Sequence, residues 1–199
     1  MTSFFRLALA GLIPLALVAC ADDGQLPEPP SEDAIQLDVA EDGSRFAFDQ
    51  APVDENGFPL YGNDFVTQGY LYPHGFLEDG PGVAEDGSPT APDEVLGEWT
   101  CRGFFVGEGH FTESGPVVIT TQVFDLYDEP GYAPGKASGR ANVVSDGYEL
   151  ADVGVPTARS ITGGTGPYRS AGGEGIQTLL GFNPSAGVDL RVTLDLDLD

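Results

Sequence analysis

The sequence is poor in basic residues, and this scarcity argues against one large class of partners. Its 199 residues include 8 Lys and Arg against 32 Asp and Glu, which gives a formal net charge of −24. Arg45 is the one basic residue among nineteen acids between positions 22 and 98. Because a surface this negative repels phosphate backbones, we predict that the protein has no nucleic-acid partner.

Metal-ligating and phosphate-binding patterns are also lacking. The two histidines, His74 and His110, show no metal-ligand spacing, and the acidic turns lack the spacing of a calcium loop. The one lysine, Lys136, lies outside the glycine-rich stretch 160–175, so that stretch does not form a Walker phosphate loop. No complete dinucleotide fingerprint and no G-x-S-x-G elbow occur. We therefore predict no metal site.

Long helical patterns are absent, whereas turn residues are plentiful, with 28 Gly and 16 Pro. Strand-like runs recur between the turns, and the last one, VDLRVTLDLDL, alternates strictly between apolar and polar residues. We predict an all-β chain that forms an eight-stranded antiparallel β-barrel, because closure removes exposed strand edges. A lipocalin-like barrel and an immunoglobulin-like sandwich are the alternatives. The predicted runs are 45–49, 65–72, 95–106, 117–126, 138–144, 157–162, 169–180 and 188–198.

The first 19 residues have the layout of a secretory signal, with Arg6 followed by an apolar run too short to span a bilayer comfortably. The run ends in Leu-Val-Ala-Cys, which resembles the bacterial lipobox and implies lipidation of Cys20. The alternative is a plain signal in which Cys20 is incidental. Lipidation would anchor the protein to the cell envelope, and Ala21 favours the outer membrane where two membranes exist.

Composition divides the rest of the chain in two. Residues 20–43 are acidic and contain proline, which is typical of a flexible tether. Residues 44–199 carry the strand-like runs and form the predicted barrel domain. Within that domain Cys101 is the one cysteine, which we interpret as a small buried hydrophobe. A reactive thiol is the alternative, although the neighbouring Arg102 should point to the opposite face of the strand.

The glycine-rich stretch indicates a sharp corner between two strands. It contains Gly163-Gly164-Thr165-Gly166, then Tyr168, Arg169 and a run of small residues ending at Gly173. This pattern resembles the signature hairpin of the allene oxide cyclase and dirigent barrel superfamily. Gln68-Gly69-Tyr70 and the run 100–105 agree with the order of elements in that superfamily.

The resemblance implies an eight-stranded antiparallel barrel with an apolar cavity, no cofactor, and frequent homo-oligomers. It also implies catalysis, where present, by confinement of a reactive substrate. The sequence departs from the dirigent pattern at one point: Ala171-Gly172-Gly173 stands where dirigent proteins have Ala-Arg-Gly. Because the basic residue of that pattern is missing, we do not expect this protein to perform dirigent chemistry.

Several residues on the predicted strands are candidates for a site. An inward Glu174 could transfer a proton, and Arg102 could assist catalysis or orient a ligand. Gln122 could bind a ligand carbonyl or carboxylate. The alternative for all three is an outward, solvated position. The predicted aromatic wall, which could equally be ordinary core, consists of Tyr70, Trp99, Phe105 and Phe124.

Two functions follow from this sequence. The first is an envelope-anchored lipoprotein whose barrel binds an apolar or amphipathic small molecule. Whether it is also an enzyme is left open; if it is, we expect a cofactor-independent isomerase or cyclase. The second is a non-catalytic structural or interaction lipoprotein with a filled barrel. A cavity of about 300 Å³ or more, with Arg102, Gln122 or Glu174 pointing inward, favours the first.

Overall fold

The computed structural model describes residue 31 and residues 34–107, 117–136 and 141–198. Most regular structure in these ranges is β-strand. The strands are β1 (Ile35–Glu41), β2 (Ala47–Phe48), β3 (Asp64–Pro73), β4 (Gly97–Gly107), β5 (Val117–Leu126), β6 (Asn142–Leu150), β7 (Pro156–Gly164), β8 (Ala171–Phe182) and β9 (Val188–Leu198). Short 3-10 helices lie at Gly43–Arg45, Phe76–Glu78, Pro92–Glu94 and Gly166–Tyr168. Within the described ranges, no helix has the length and apolar character needed to cross a membrane.

The sheet closes on itself. Strands β3 to β9 pair antiparallel in chain order, and β9 then pairs with β1. β1 returns to β3, with Leu37 opposite Pro73 and Glu41 opposite Gly69. β2 continues along β3 with Ala47 opposite Val66, so β1 and β2 together fill one strand position. The predicted eight-stranded antiparallel barrel is therefore confirmed.

The barrel begins nine residues earlier than the predicted boundary at Ser44. Ile35–Glu41 lies inside the predicted tether, yet it forms β1 and is buried from Leu37 onward. Asp38 is fully buried because Arg191 pairs with it, at 2.9 Å between Nε and Oδ1. An acidic composition thus conceals a strand whose charge is neutralised by a residue far along the chain. Cys20 and the predicted leader lie outside the described residues.

One end of the barrel interior, here called the closed end, is packed with apolar side chains. The chain corner between β7 and β8 lies at this end, where Tyr168 packs against the core. A Cβ on Gly164 would lie 2.3 Å from the Asn142 carbonyl oxygen, so this close approach requires glycine. The glycine-rich stretch is therefore a structural corner. The buried residues of the closed end include Leu37, Leu71, Phe124, Val143, Ile161, Ala171, Val192 and Leu194.

A second, smaller core lies outside the barrel wall. The connection between β3 and β4 folds back over the outer faces of β1 and β3, where it buries Tyr70 and Tyr72. The Tyr72 hydroxyl donates to the Gly82 carbonyl oxygen at 2.7 Å. This long acidic connection is thus anchored to the barrel.

Candidate functional site

The opposite end of the barrel, here called the mouth, contains a cavity of about 660 Å³. Strand alternation directs one side chain in two inward, so the ends of β3, β4, β8 and β9 supply an apolar wall. Members of this wall include Phe65, Trp99, Phe105, Leu179 and Leu190. The volume lies within the range of about 300–1,000 Å³ that is usual for small-molecule sites.

Phenylalanines form a continuous row along one side of the mouth. The rings of Phe46 and Phe65 stack with centroids 5.4 Å apart, and Phe65 lies 5.3 Å from Phe105. Phe58, from the connection between β2 and β3, meets Phe105 edge-on at 6.0 Å. The row presents a broad aromatic surface to the cavity, suited to a planar apolar ligand.

The floor of the cavity is polar and centres on Glu149 of β6. Its Oε1 accepts hydrogen bonds from Gln122 Nε2 at 2.8 Å and from Thr120 Oγ1 at 2.5 Å. Its Oε2 accepts from Gln177 Nε2 at 3.1 Å. Glu149 also lines the cavity, and its side chain is 14% exposed. The carboxylate is therefore held in one position by the barrel and can still meet a ligand.

Arg159 of β7 supplies the compensating charge below the floor. Its Nη1 lies 3.7 Å from Glu149 Oε1, and its side chain is 1% exposed. The guanidinium also donates to Ser145 Oγ and to the backbone carbonyl oxygens of Tyr148, Thr120 and Ser145. These four hydrogen bonds and the ion pair engage all three nitrogen atoms of the guanidinium. Arg159 thus positions Glu149 and is not itself available to a ligand.

A second carboxyl group, that of Glu41, lines the cavity where β1 ends. It accepts from Thr67 Oγ1 at 2.5 Å and from the Val188 N–H at 2.6 Å. Burial raises the pKa of Glu41 above its ordinary value of 4.5, and repulsion from Glu149 adds to the increase. Two carboxyl groups in different surroundings can divide proton donation and acceptance between them.

Cys101 belongs to the same polar floor. Its thiol donates to Glu149 Oε1 at 3.3 Å, and its side chain is buried. Burial raises the pKa of this thiol well above its ordinary value, and the nearby carboxylate raises it further. Because the thiolate is the nucleophilic form, this setting disfavours a reactive cysteine.

Two polar atoms in the same region have no hydrogen-bond partner among the described residues. They are the indole N–H of Trp99 and the side-chain oxygen of Gln122. Trp99 lines the cavity and is 1% exposed, so its donor is withheld from bulk water. Both atoms are themselves buried, so they lie within the wall and beneath the floor and are not presented to a ligand in the cavity.

The structure places four of the predicted site residues inside the barrel. Trp99 and Phe105 line the cavity. Gln122 lies beneath it, where it donates to both Glu149 and Gln177. Phe124 packs in the closed end, away from the cavity lining.

The other three lie outside the barrel. Arg102 and Glu174 are exposed on the outer face, because each is one residue out of phase with an inward neighbour, Cys101 or Gly175. For these two side chains the structure shows the outward position that the sequence left as the alternative. Tyr70 faces outward into the second core, where its hydroxyl donates to the Gly87 carbonyl oxygen.

Sequence reasoning missed Glu41, Glu149, Arg159 and Gln177. A usable signal existed for two of them: Arg159 alternates with Ile161, and Gln177 alternates with Leu179, and both neighbours are buried. Glu149 was missed because the predicted run ended at residue 144, whereas β6 continues to Leu150. Glu41 was missed together with β1.

Metal-ligating side chains do not converge in the part of the chain that the structure describes: no group of three or more His, Cys, Asp or Glu could hold an ion. His74 is exposed there. His110 lies outside the described residues.

Comparison with solved structures identifies the fold. A pyocyanin demethylase superposes with a TM-score of 0.52 at 16% identity, covering 82% of this chain and 99% of that one. Two pterocarpan synthase dirigent proteins give TM-scores of 0.54 and 0.51 at 12% and 10% identity. They cover 82% and 81% of this chain, and 95% and 84% of their own chains. No protein-family model matches the sequence, and no curated protein matches it significantly.

The chain has the same barrel fold as these proteins. This confirms the predicted resemblance to the allene oxide cyclase and dirigent superfamily at the level of fold. The likeness covers almost the whole of the demethylase chain, so the barrel is present here as a complete unit. At identities this low, what the likeness establishes is the architecture, and function has to be argued from the cavity itself.

Proposed function

We propose that the barrel binds an apolar or amphipathic small molecule in its mouth. The observation that carries the proposal is the cavity of about 660 Å³ with an aromatic wall and a fixed carboxylate at its floor. A filled structural barrel, the alternative function, does not need such a space. The names of the similar structures, a demethylase and two synthases, also associate this fold with chemistry on small organic molecules.

The proposed chemistry is a cofactor-independent isomerisation or cyclisation. The aromatic wall would hold the substrate in one conformation, which contributes through proximity and orientation. Glu149 would accept or return a proton at the floor, and Glu41, with its raised pKa, would supply one. Both carboxyl groups face the same cavity, so a single bound molecule can reach each of them.

Native mass spectrometry tests the binding proposal. The purified chain is incubated with a cell-envelope extract, and bound mass is compared with the Val118→Trp variant, in which the added ring fills the cavity. We expect a small molecule on the wild type that is absent from the variant and is released on unfolding. A protein that carries no added mass from any extract would contradict the proposal.

A second variant tests the chemistry once a ligand is known. Glu149→Gln keeps an acceptor oxygen but cannot take a proton as a carboxylate does. Turnover should fall about a hundredfold or more while the ligand is still bound. Unchanged turnover in a folded Glu149→Gln protein would limit the function to binding.

Anchoring to the cell envelope through Cys20 remains part of the proposal. Its support is the leader and the Leu-Val-Ala-Cys motif. The linker is shorter than predicted, because Ser31 already contacts the barrel through Asp195 at 2.6 Å between Oγ and Oδ1. Mass spectrometry of the mature N-terminus would reveal the acyl chains, and Cys20→Ser should prevent their attachment.

A homo-oligomer is proposed on the basis of an exposed apolar row. Phe104, Ile119 and Tyr148 are paired across β4, β5 and β6 on the outer face, and each is 41–52% exposed. Adjacent exposed apolar side chains of this kind are common at protein interfaces. Light scattering should give a multiple of the chain mass that falls to one chain in Phe104→Ser.

A further inference from the structure

The charged groups around the cavity select the class of its ligand, a deduction that rests on the proposed binding function. None of the described lining residues is Lys, Arg or His, whereas two, Glu41 and Glu149, are acids. Arg159, the cation beneath the floor, is 1% exposed and is engaged by an ion pair with Glu149 and by hydrogen bonds to Ser145 and to backbone carbonyl oxygens. A ligand anion would therefore enter a poorly solvated space with no free partner, which is unfavourable.

A ligand cation meets the opposite conditions. The carboxylate of Glu149 faces the cavity. Among the described residues its Oε2 accepts from Gln177 alone, so a second lone pair of that oxygen is available to a ligand. A charge-assisted hydrogen bond to it is about twice as strong as a neutral one. The phenylalanine row adds ring faces that attract a nearby positive charge.

We infer that the cavity is selective for planar aromatic amines, with a cationic or N–H-bearing group directed at Glu149. Fatty acids and other carboxylates are correspondingly disfavoured. Among ligands of equal size and shape, we therefore expect affinity to depend on the charge that the ligand carries.

Three probes with the same three-ring framework test this inference on the intact protein. They are 9-aminoacridine, a cation at neutral pH, 9-anthracenemethanol, which is neutral, and 9-anthracenecarboxylate, an anion. Fluorescence titration is made at about 0.15 M salt, where exposed charges are screened beyond about 8 Å. We expect the cation to bind about ten- to hundredfold more tightly than the anion, with the alcohol between them.

Variants locate the effect. Glu149→Gln should remove about tenfold or more of the preference for the cation. Glu85→Gln removes the same charge from an exposed position on the outer connection and should leave it unchanged. Val118→Trp should reduce the binding of all three probes. Circular dichroism checks that each variant folds, and the three-probe comparison on the wild type stands without any variant.

The outcomes separate the two proposals. Equal affinity for the three probes, or tightest binding of the anion, would overturn the charge selection while leaving a binding cavity. Cation binding that is unchanged in Glu149→Gln would also overturn it, because the probe would then be bound elsewhere. If no probe binds, the cavity proposal itself is contradicted.

Discussion

The two ends of the barrel interior are built by the same strands but have opposite properties. At the closed end, Phe124, Val143 and Leu194 fill the space with apolar contacts. At the mouth, Phe105 and Leu179 line the cavity instead, and Glu149 forms its polar floor. The comparison shows how an eight-stranded barrel can combine a stabilising core with a binding site along a single axis.

The largest difference is expected from truncating a phenylalanine at each end. Phe124→Ala should lower the free energy of unfolding by about 3–5 kcal/mol, because it leaves a void in a packed core. Phe105→Ala should cost less than half as much, since its ring already borders empty space. Urea denaturation measures both. Equal losses would show that the mouth is packed as tightly as the closed end.

A pair of arginines contrasts the polar floor with the outer face. Arg159→Met should destabilise the protein by about 3–5 kcal/mol, because Glu149 would lose its buried partner. Arg102→Met, on the exposed face, should change stability by no more than about 0.5 kcal/mol. The same denaturation experiment applies. A large effect at Arg102 would mean that this residue has a role the outer face does not reveal.

Enlarging a valine at each end sharpens the comparison further. Val143→Trp should cost about 1–3 kcal/mol by overpacking the closed end. Val118→Trp should leave stability nearly unchanged, because the cavity can take the added ring. Thermal unfolding of the two variants provides the measurement. A strongly destabilised but folded Val118→Trp would argue against an empty mouth.

The pH dependence of stability should have opposite signs inside and outside the mouth. Burial raises the pKa of Glu41. The stability that Glu41 contributes is therefore full below about pH 4.5 and is lost as the pH rises through the pKa of the folded state. Hydrogen bonds from Thr121 and Thr162 lower the pKa of Asp146 on the outer face below 3.8. The stability that Asp146 contributes is therefore present above about pH 3.8 and is lost as the pH falls through the lowered pKa.

Two amide variants measure this smaller effect. From pH 3 to pH 7, Glu41→Gln should gain stability relative to the wild type, whereas Asp146→Asn should lose it. Urea denaturation at several pH values gives both differences. A Glu41→Gln curve parallel to that of the wild type would mean that Glu41 titrates as an exposed carboxyl group does.

Strand alternation made the barrel predictable but did not identify its functional side chains. The run 188–198 was interpreted correctly because Val192 and Leu194 alternate with polar residues and are buried. The sequence left the faces of Glu174 and Arg102 open, because a shift of one residue along a strand moves a side chain to the other face. On β8 the inward neighbour of Glu174 is Gly175, which has no side chain to indicate the buried face of the strand.

The polar floor depends on contacts between distant residues, which local patterns do not reveal. Arg159 reaches Glu149 from the next strand, and Gln122 meets Gln177 across 55 positions of sequence. The burial of Asp38 likewise depends on Arg191, 153 positions away. Charged side chains that would be interpreted locally as solvated thus become interior groups only when the barrel closes.

The direction in which the chain enters the barrel has a consequence for the route by which a ligand arrives. β1 begins at Ile35 beside Leu194, at the closed end, and runs toward Glu41 at the mouth. If lipidated Cys20 holds the protein on a bilayer, the segment that carries the lipid joins the barrel at the end remote from the cavity. The ligand route and the lipid attachment then use opposite ends of the barrel.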